Sequence, residues 1–183
     1  MSERIARIIL LVEDVNQENL LRHCLKRLGQ ENRNIRVEKL RRGGSGEQFV
    51  REGYAVQVRA LRSQSTRTKA CLIAMIDADT GSTAERRRRL DRALEDAGVA
   101  PRDQSDPILN LVARRNVETW ILCLNLEEVN EEEDYKRDPR IDAAGIKRAA
   151  NRLFLWTRPN AELPDSCVPS LRESIPEFMR LPR

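Results

Sequence analysis

The sequence contains a single histidine, His23, among 183 residues. A zinc centre needs several histidine or cysteine ligands, and many hydrolases need a catalytic imidazole. The four cysteines are scattered without a CxxC pair, and three of them fall within apolar patterns. This scarcity effectively excludes a zinc cluster, an HNH site and a histidine base, and it predicts buried free thiols in a reducing compartment.

Long apolar segments near the start are also absent. The run IILLV has only five residues before Glu13, which is too short for a signal peptide or a membrane span. We therefore expect a cytoplasmic protein with no membrane contact. Lys and Arg number 33 against 29 acidic residues, giving a net charge of +4. This balance permits a polyanionic partner without demanding one, and the predominance of arginine favours bidentate phosphate contacts.

Apolar segments alternate between strand and helix periodicity over the first two thirds of the chain. We predict strands over 5–12, 34–40, 69–76 and 106–115, with helices following them over 20–28, 47–62, 83–97 and 116–126. This alternation predicts an α/β fold with a mostly parallel, Rossmann-like sheet of about four strands flanked by helices. Residues 1–126 form the predicted core. Residues 127–183, comprising a solvated acidic loop at 127–140 and helices near 142–155 and from Ser170, form a C-terminal helical extension packed on that core in the same domain.

Three acidic residues follow strands that we expect to be neighbours. Glu13 follows the first strand, and Asp77 and Asp79 follow the apolar run ACLIAMI. The carboxyl ends of parallel strands share one rim, where such sheets bind ligands, and carboxylates held together there repel each other unless a cation neutralises them. Oxygen ligands without histidine or thiolate favour Mg²⁺ or Mn²⁺, which can activate water for phosphodiester cleavage. The alternative is coincidence, because aspartates commonly end strands and cap turns.

Five further residues are candidates for the same rim. Glu118 is explained equally well as a ligand of a second metal ion or as an early-helix acid favoured by the helix dipole. Arg114 and Arg115 end the fourth predicted strand, and we favour Arg115 for phosphate binding. Arg86 belongs to a run of four arginines of which only one or two can face a site. Arg42 lies in the glycine-rich stretch RRGGSG, which is explained as a phosphate-binding turn or, more simply, as a flexible one.

The motifs LLVED and MIDADTG resemble the TOPRIM domain, the fold shared by topoisomerases, bacterial primases and overcoming-lysogenisation-defect (OLD) nucleases. In this resemblance Glu13 is the family's glutamate after the first strand, and Asp77 and Asp79 are its DxD pair. The three would be the catalytic metal ligands. The stretch RRNVETW is similar to a motif of small stand-alone TOPRIM-like proteins in bacterial defence loci. The resemblance covers roughly residues 5–126.

The resemblance implies a nuclease that requires Mg²⁺ or Mn²⁺ and acts on DNA or RNA, as the effector subunit of an anti-phage defence system. Relatives of this kind work beside an ABC-type ATPase of the OLD/SMC group. The sequence has no Walker motif, so ATP hydrolysis would come from such a partner. Whether the chain forms a homo-oligomer is left open.

The sequence around the first strand also resembles a second protein family. The stretch ILLVEDVNQENLLRHCLKRLG resembles the opening of a response-regulator receiver domain, in which Asp77 would accept a phosphoryl group. The remainder departs from that pattern, because Asp14 and Asp77 are too far apart and Met-Pro does not follow Asp77. We therefore rank the nuclease first. A TOPRIM scaffold that binds nucleic acid without cutting it is the other alternative.

Overall fold

The computed structural model describes residues 5–39, 46–64 and 69–182, and a four-stranded sheet lies at its centre. The strands are β1 (Arg7–Val12), β2 (Ile35–Lys39), β3 (Ala70–Asp77) and β4 (Ile108–Ala113). They pair in the order β2-β1-β3-β4, and every pairing is parallel. The predicted α/β class is confirmed, and the sheet is wholly rather than mostly parallel. The strand order reverses between β1 and β3, the point at which open parallel sheets bind ligands.

Helices follow the strands as the periodicity predicts. They are α1 (Val15–Arg27), α2 (Gly46–Gln64), α3 (Thr83–Asp96), α4 (Val117–Leu124), α5 (Ala143–Trp156) and α6 (Pro169–Ser174), with 3₁₀ turns at Asn32–Asn34 and Ile175–Arg180. Within the three described ranges, no helix is long and apolar enough to cross a membrane.

The two central strands contain continuous apolar runs, residues 8–12 of β1 and 70–76 of β3, because both faces of the sheet are covered. All eight residues of β3 are buried. In β1, Ile8 and Leu10 belong to the hydrophobic core on one face, which includes residues of α1, α4 and α5, whereas Ile9 and Leu11 belong to the core on the other face, which includes residues of α2 and α3. The sequence of a strand that contacts helices on both faces is typically a continuous hydrophobic run.

Glycines and short polar residues define the ends of the helices. Gly29 and Gly98 have φ values of +82° and +63°, and this left-handed conformation after a helix is one that glycine adopts without strain. Ser82 begins α3 by accepting the Glu85 N–H at 3.1 Å, which satisfies one of the free amide groups of the first turn. These three residues lie immediately outside the helices predicted over 20–28 and 83–97.

The segment after α4 completes the core and covers the β4 edge. Helix α5 packs on α1 and α4, and α6 and the last 3₁₀ turn pack on β4. The Trp120 indole N–H donates to Ser170 Oγ at 2.7 Å, and the Glu177 carboxylate accepts the Asn110 N–H at 2.8 Å. Arg102 forms a further ion pair with Glu177. These contacts attach the C-terminal segment to the strand nearest to it.

Both ends of the fourth strand differ from the sequence prediction. The fourth strand begins at Ile108 rather than at residue 106, because the Asp103 carboxylate accepts the backbone N–H groups of Ser105 and Asp106 and holds them in a turn. It also ends before Arg114 and Arg115, which lie in the link to α4. The predicted glycine-rich turn with Arg42 falls outside the described residues.

Candidate functional site

Glu13 and Asp77 meet at the carboxyl ends of the two central strands. Val12, the last residue of β1, is paired with Met75 of β3, so the two strand ends lie side by side. The backbone N–H of Asp77 donates to Glu13 Oε2 at 2.9 Å. The strand order reverses between β1 and β3, and open parallel sheets bind ligands in the crevice at such a point. The structure therefore brings two of the predicted site residues together where a ligand is expected.

Gln17, in the first turn of α1, joins the two acids. Its Nε2 donates to Asp77 Oδ1 at 3.0 Å, and its Oε1 accepts the Glu13 N–H at 2.9 Å. The side chain is fully buried, and Asp14 fixes the start of the helix by accepting the Gln17 N–H at 2.9 Å. An amide carries no charge, so Gln17 orients the Asp77 carboxylate without neutralising it.

The two acids form a centre with surplus negative charge. Burial raises the pKa of Asp77 well above its ordinary value, and the neighbouring carboxylates of Glu13, Asp14 and Glu118 raise it further. Burial also raises the pKa of Glu13, although the hydrogen bond from the Asp77 N–H acts in the opposite direction. Only 3% of Asp77 is exposed. Desolvation and like-charge repulsion both disfavour the ionised forms, and a bound cation would relieve both.

Asp79, the second acid of the DxD pair, is more exposed than Asp77, although its charge contributes to the raised pKa of Glu13. It follows the end of β3 at φ +53°, in a turn that is closed by the Gly81 N–H donating to the Ala78 carbonyl at 2.8 Å. Its side chain is 52% exposed and lies 3.5 Å from both Arg86 Nη2 and Lys136 Nζ. The two aspartates therefore have different environments: the first is buried, and the second forms ion pairs at the surface.

Glu118 belongs to the buried centre rather than to the surface of α4. It is 3% exposed, and its Oε1 accepts a hydrogen bond from Asn16 Nδ2 at 2.7 Å. Its Oε2 is buried and has no hydrogen-bond partner among the described residues. An ordinary first-turn acid is solvated, and leaving a buried acceptor unpaired costs about 1–3 kcal/mol. Its charge also contributes to the raised pKa of Asp77, so Glu118 adds a third carboxylate to the same buried region.

Arg114 and Arg115 lie beside the turn that carries Asp79. The Arg114 guanidinium donates to the Gly81 carbonyl, and Arg115 Nη1 donates to the Asp79 carbonyl at 3.4 Å. The Arg114 backbone N–H donates to Ser170 Oγ at 3.2 Å, which holds the link between β4 and α4 in place. Both guanidinium groups thus lie at the rim where the sequence predicted phosphate binding. Arg86 also reaches this rim through its ion pair with Asp79.

The chain between α4 and α5 contacts the site, although its sequence suggests a solvated acidic loop. Glu132 Oε1 lies 3.6 Å from Arg114 Nη2, and Asp134 Oδ2 lies 4.0 Å from Arg115 Nη2. Lys136 reaches Asp79, as described above. Burial alone would lower the pKa of Lys136, but the charges of Asp77 and Asp79 more than compensate and raise it. The loop therefore brings both acids and a cation to the rim.

Sequence reasoning missed Gln17, Lys136 and Asp134. A signal for Gln17 was present, because it precedes Leu20 and Cys24 at helical spacing and so belongs to the buried face of α1. A buried amide beside the first strand end is a polar residue that requires a partner. No comparable pattern marks the other two, because they lie in an irregular loop whose path the sequence does not specify.

The carboxylates of the centre are the type of ligand that a hard divalent cation prefers. They do not, however, form a complete set of metal ligands. The ligands that Mg²⁺ and Mn²⁺ prefer are carboxylate oxygens, and the unpaired Oε2 of Glu118 together with the raised pKa values of Glu13 and Asp77 indicates a deficit of positive charge. In the part of the chain that the structure describes, no three acidic, histidine or cysteine side chains lie close enough together to hold a metal ion. Asp79 is engaged by two cationic side chains instead.

No protein-family model, curated protein or solved structure matches this chain.

Proposed function

We propose that this chain is a TOPRIM-like nuclease that hydrolyses phosphodiester bonds of DNA or RNA with the help of Mg²⁺ or Mn²⁺. The observation that carries the proposal is the contact between half-buried Glu13 and buried Asp77 at the point between β1 and β3 where the strand order reverses. Two cationic side chains, Arg114 and Arg115, lie at the same rim. Surplus negative charge on buried Asp77 and half-buried Glu13, beside two half-buried guanidinium groups, suits a ligand that combines a divalent cation with phosphate groups.

Each residue has a distinct role in this proposal. Glu13 and Asp77 would hold the cation, with Glu118 as a further carboxylate, and a bound Mg²⁺ or Mn²⁺ supplies an activated water and stabilises negative charge on the phosphate. Gln17 keeps the Asp77 carboxylate in one orientation. Arg114 and Arg115 bind phosphate oxygens, because a guanidinium group donates two parallel hydrogen bonds to such an anion. Asp79 becomes available as a ligand when it gives up its pairs with basic side chains.

A second candidate function is a TOPRIM scaffold that binds nucleic acid without cutting it. The ion pairs of Asp79 with Arg86 and Lys136 favour this alternative, because they already neutralise one of the predicted ligands. Arg114 and Arg115 would bind phosphates in either case. The two candidates differ in whether the carboxylates bind a metal ion and whether the substrate is cleaved.

The first experiment incubates purified protein with supercoiled plasmid DNA, and separately with RNA, in buffer containing Mn²⁺. We expect cleavage by the wild type and by the control Glu95→Gln, whose residue is exposed near the end of α3. Asp77→Asn and Glu13→Gln should lose the activity, and identical purification of all four proteins excludes a contaminating nuclease.

Other outcomes of this experiment would identify the alternatives. Nucleic-acid binding without cleavage under any divalent cation would support the scaffold. Transfer of a phosphoryl group from acetyl phosphate to the wild type, but not to Asp77→Asn, would support the receiver domain. Cleavage that persists unchanged in Asp77→Asn would refute the proposed site.

The proposed context is bacterial anti-phage defence, with an ABC-type ATPase of the OLD/SMC group as the partner protein. This part rests on the resemblance of RRNVETW to defence-associated TOPRIM-like proteins and on the lack of a Walker motif. The cytoplasm remains the proposed location, and the four cysteines, which are buried free thiols, are consistent with a reducing compartment. Assembly with like chains stays a prediction to be measured.

A further inference from the structure

Residues 127–142, which we call the acidic strap, run from α4 to α5 beside the proposed site. Three of its side chains contact site residues: Glu132 lies beside Arg114, Asp134 beside Arg115, and Lys136 beside Asp79. The two acids therefore lie against the arginines that would bind a phosphate, and the lysine lies against an acid that would bind a cation. The strap thus places negative charge where a phosphate would bind and positive charge where a metal ion would bind.

Most of the contacts that hold the backbone of the strap do not involve these charge pairs. Tyr135 is buried, and Glu131 Oε1 accepts the Ser170 N–H at 2.9 Å. The Asn130 side chain accepts the backbone N–H groups of Glu132 and Glu133, both at 2.9 Å. The position of the strap thus follows from its own turns and from α6. The Glu132 side chain can therefore leave Arg114 without unfolding the segment. Asp134 Oδ1 accepts Asn116 Nδ2 at 2.8 Å and the Lys136 N–H at 2.9 Å, so displacement at Arg115 involves only the other oxygen, Oδ2.

The charge pairs themselves are weak. Their atoms are 3.6 Å apart for Glu132 and Arg114 and 4.0 Å apart for Asp134 and Arg115, and Glu132 is 81% exposed. A charge-assisted hydrogen bond to phosphate is shorter, at about 2.7–2.9 Å, and can be bidentate. A phosphate group that reaches both guanidinium groups would therefore replace the acidic side chains.

We propose that the acidic strap is a built-in competitor for phosphate: Glu132 and Asp134 occupy Arg114 and Arg115 in the free protein and are displaced when a nucleic-acid backbone binds. The inference rests on the proposed function in one respect, namely that Arg114 and Arg115 bind phosphate. It does not require that the protein cleaves nucleic acid. Its consequence is that the free protein binds a nucleic-acid backbone more weakly than the two arginines alone would allow.

The experiment measures binding of a short fluorescein-labelled oligodeoxynucleotide by fluorescence anisotropy, at low salt and without divalent metal. The strap variant is Glu132→Gln with Asp134→Asn, which keeps the size of both side chains and an acceptor oxygen for the Asn116 contact at 2.8 Å. The matched control is Glu95→Gln with Asp96→Asn, which changes the net charge equally. These two residues are exposed at the end of α3 opposite to Ser82 and the site.

We expect the strap variant to bind the oligonucleotide about three- to tenfold more tightly than the control, because two weak ion pairs that compete with phosphate are lost. The gain should disappear when Arg114→Gln and Arg115→Gln are added. Equal affinity of the strap variant and the control would overturn the inference, and so would a gain that survives the loss of both arginines. Glu132→Gln alone, at a highly exposed position, provides a variant for which folding is not in question.

The binding experiment and the cleavage experiment can fail independently of each other. If the wild type cleaves nucleic acid but the strap variant binds like its control, only the competitor inference fails. If the strap variant binds more tightly and no protein cleaves under any metal, only the nuclease proposal fails.

Discussion

The Gln17→Leu substitution tests whether Gln17 holds the acidic pair in place. The change preserves the approximate volume but removes a hydrogen bond to the Asp77 carboxylate and one from the Glu13 N–H. A hydrogen bond to a charged group contributes about 1.5–3 kcal/mol and a neutral one about 0.5–1.5 kcal/mol. We therefore expect the free energy of unfolding to fall by about 2–4 kcal/mol, because both partners lose their contact.

The assay is urea unfolding followed by circular dichroism, with the denaturant slope checked for constancy. Gln57→Leu on α2 is the matched control, because Gln57 is half-buried outside the site, and we expect it to change stability by no more than about 0.5 kcal/mol. In a double-mutant cycle with Asp77→Asn, the coupling to Gln17→Leu should be about 1 kcal/mol, since the charged acceptor has been removed. A cost below about 0.5 kcal/mol for Gln17→Leu, or no coupling, would refute the role assigned to Gln17.

Three other predictions concern charge and burial. Asp77→Asn should raise the free energy of unfolding by about 1 kcal/mol or more in metal-free buffer, because it removes a desolvated charge beside Glu13; a lower stability of this variant would contradict the surplus of negative charge. Lys136→Gln should tighten Mn²⁺ binding in a calorimetric titration, because it removes the cation that pairs with Asp79; unchanged or weaker binding would show that this lysine does not compete with metal. Burial raises the pKa of the Cys24 thiol from 9.0 to about 12, so the folded protein retains a proton that the unfolded chain loses. Stability should therefore fall as the pH rises from about 9 towards 12, and Cys24→Ala should make the fall shallower in urea unfolding; an identical pH slope in the variant would count against this burial effect.

The fold could be predicted from the sequence because its elements are specified locally. The apolar run at residues 70–76 has no polar position, and a strand covered on both faces by helices accommodates such a segment. Gly29 and Gly98 mark the ends of α1 and α3 because their left-handed conformation is one that other residues rarely adopt. These signals depend on neighbouring residues, which the sequence shows directly.

The meeting of Glu13 and Asp77 was also predictable, because the ends of adjacent parallel strands share one edge of the sheet. The position of Asp79 was not. Two aspartates one residue apart would point to the same side of a continuing strand, but β3 ends at Asp77 and Asp79 adopts a left-handed turn. The conformation of a turn after a strand depends on its tertiary contacts, here with Arg86 and Lys136.

The acidic strap was unpredictable for a related reason. Its composition is typical of a solvated surface loop, and its contacts with Arg114 and Arg115 depend on where α4 and α5 place its two ends. Residues far apart in the chain, such as Asn116 and Asp134, are brought together only by the complete fold.

The central claim is that half-buried Glu13 and buried Asp77 together form a site for a divalent cation. Isothermal titration calorimetry of the metal-free protein with Mn²⁺ tests it most directly, with Asp77→Asn and Glu13→Gln as variants and Glu95→Gln as the control. The account predicts binding by the wild type and the control, and a loss of at least tenfold in affinity for both variants, about 1.4 kcal/mol. Absence of binding to the wild type, or equal affinity in Asp77→Asn, would contradict it.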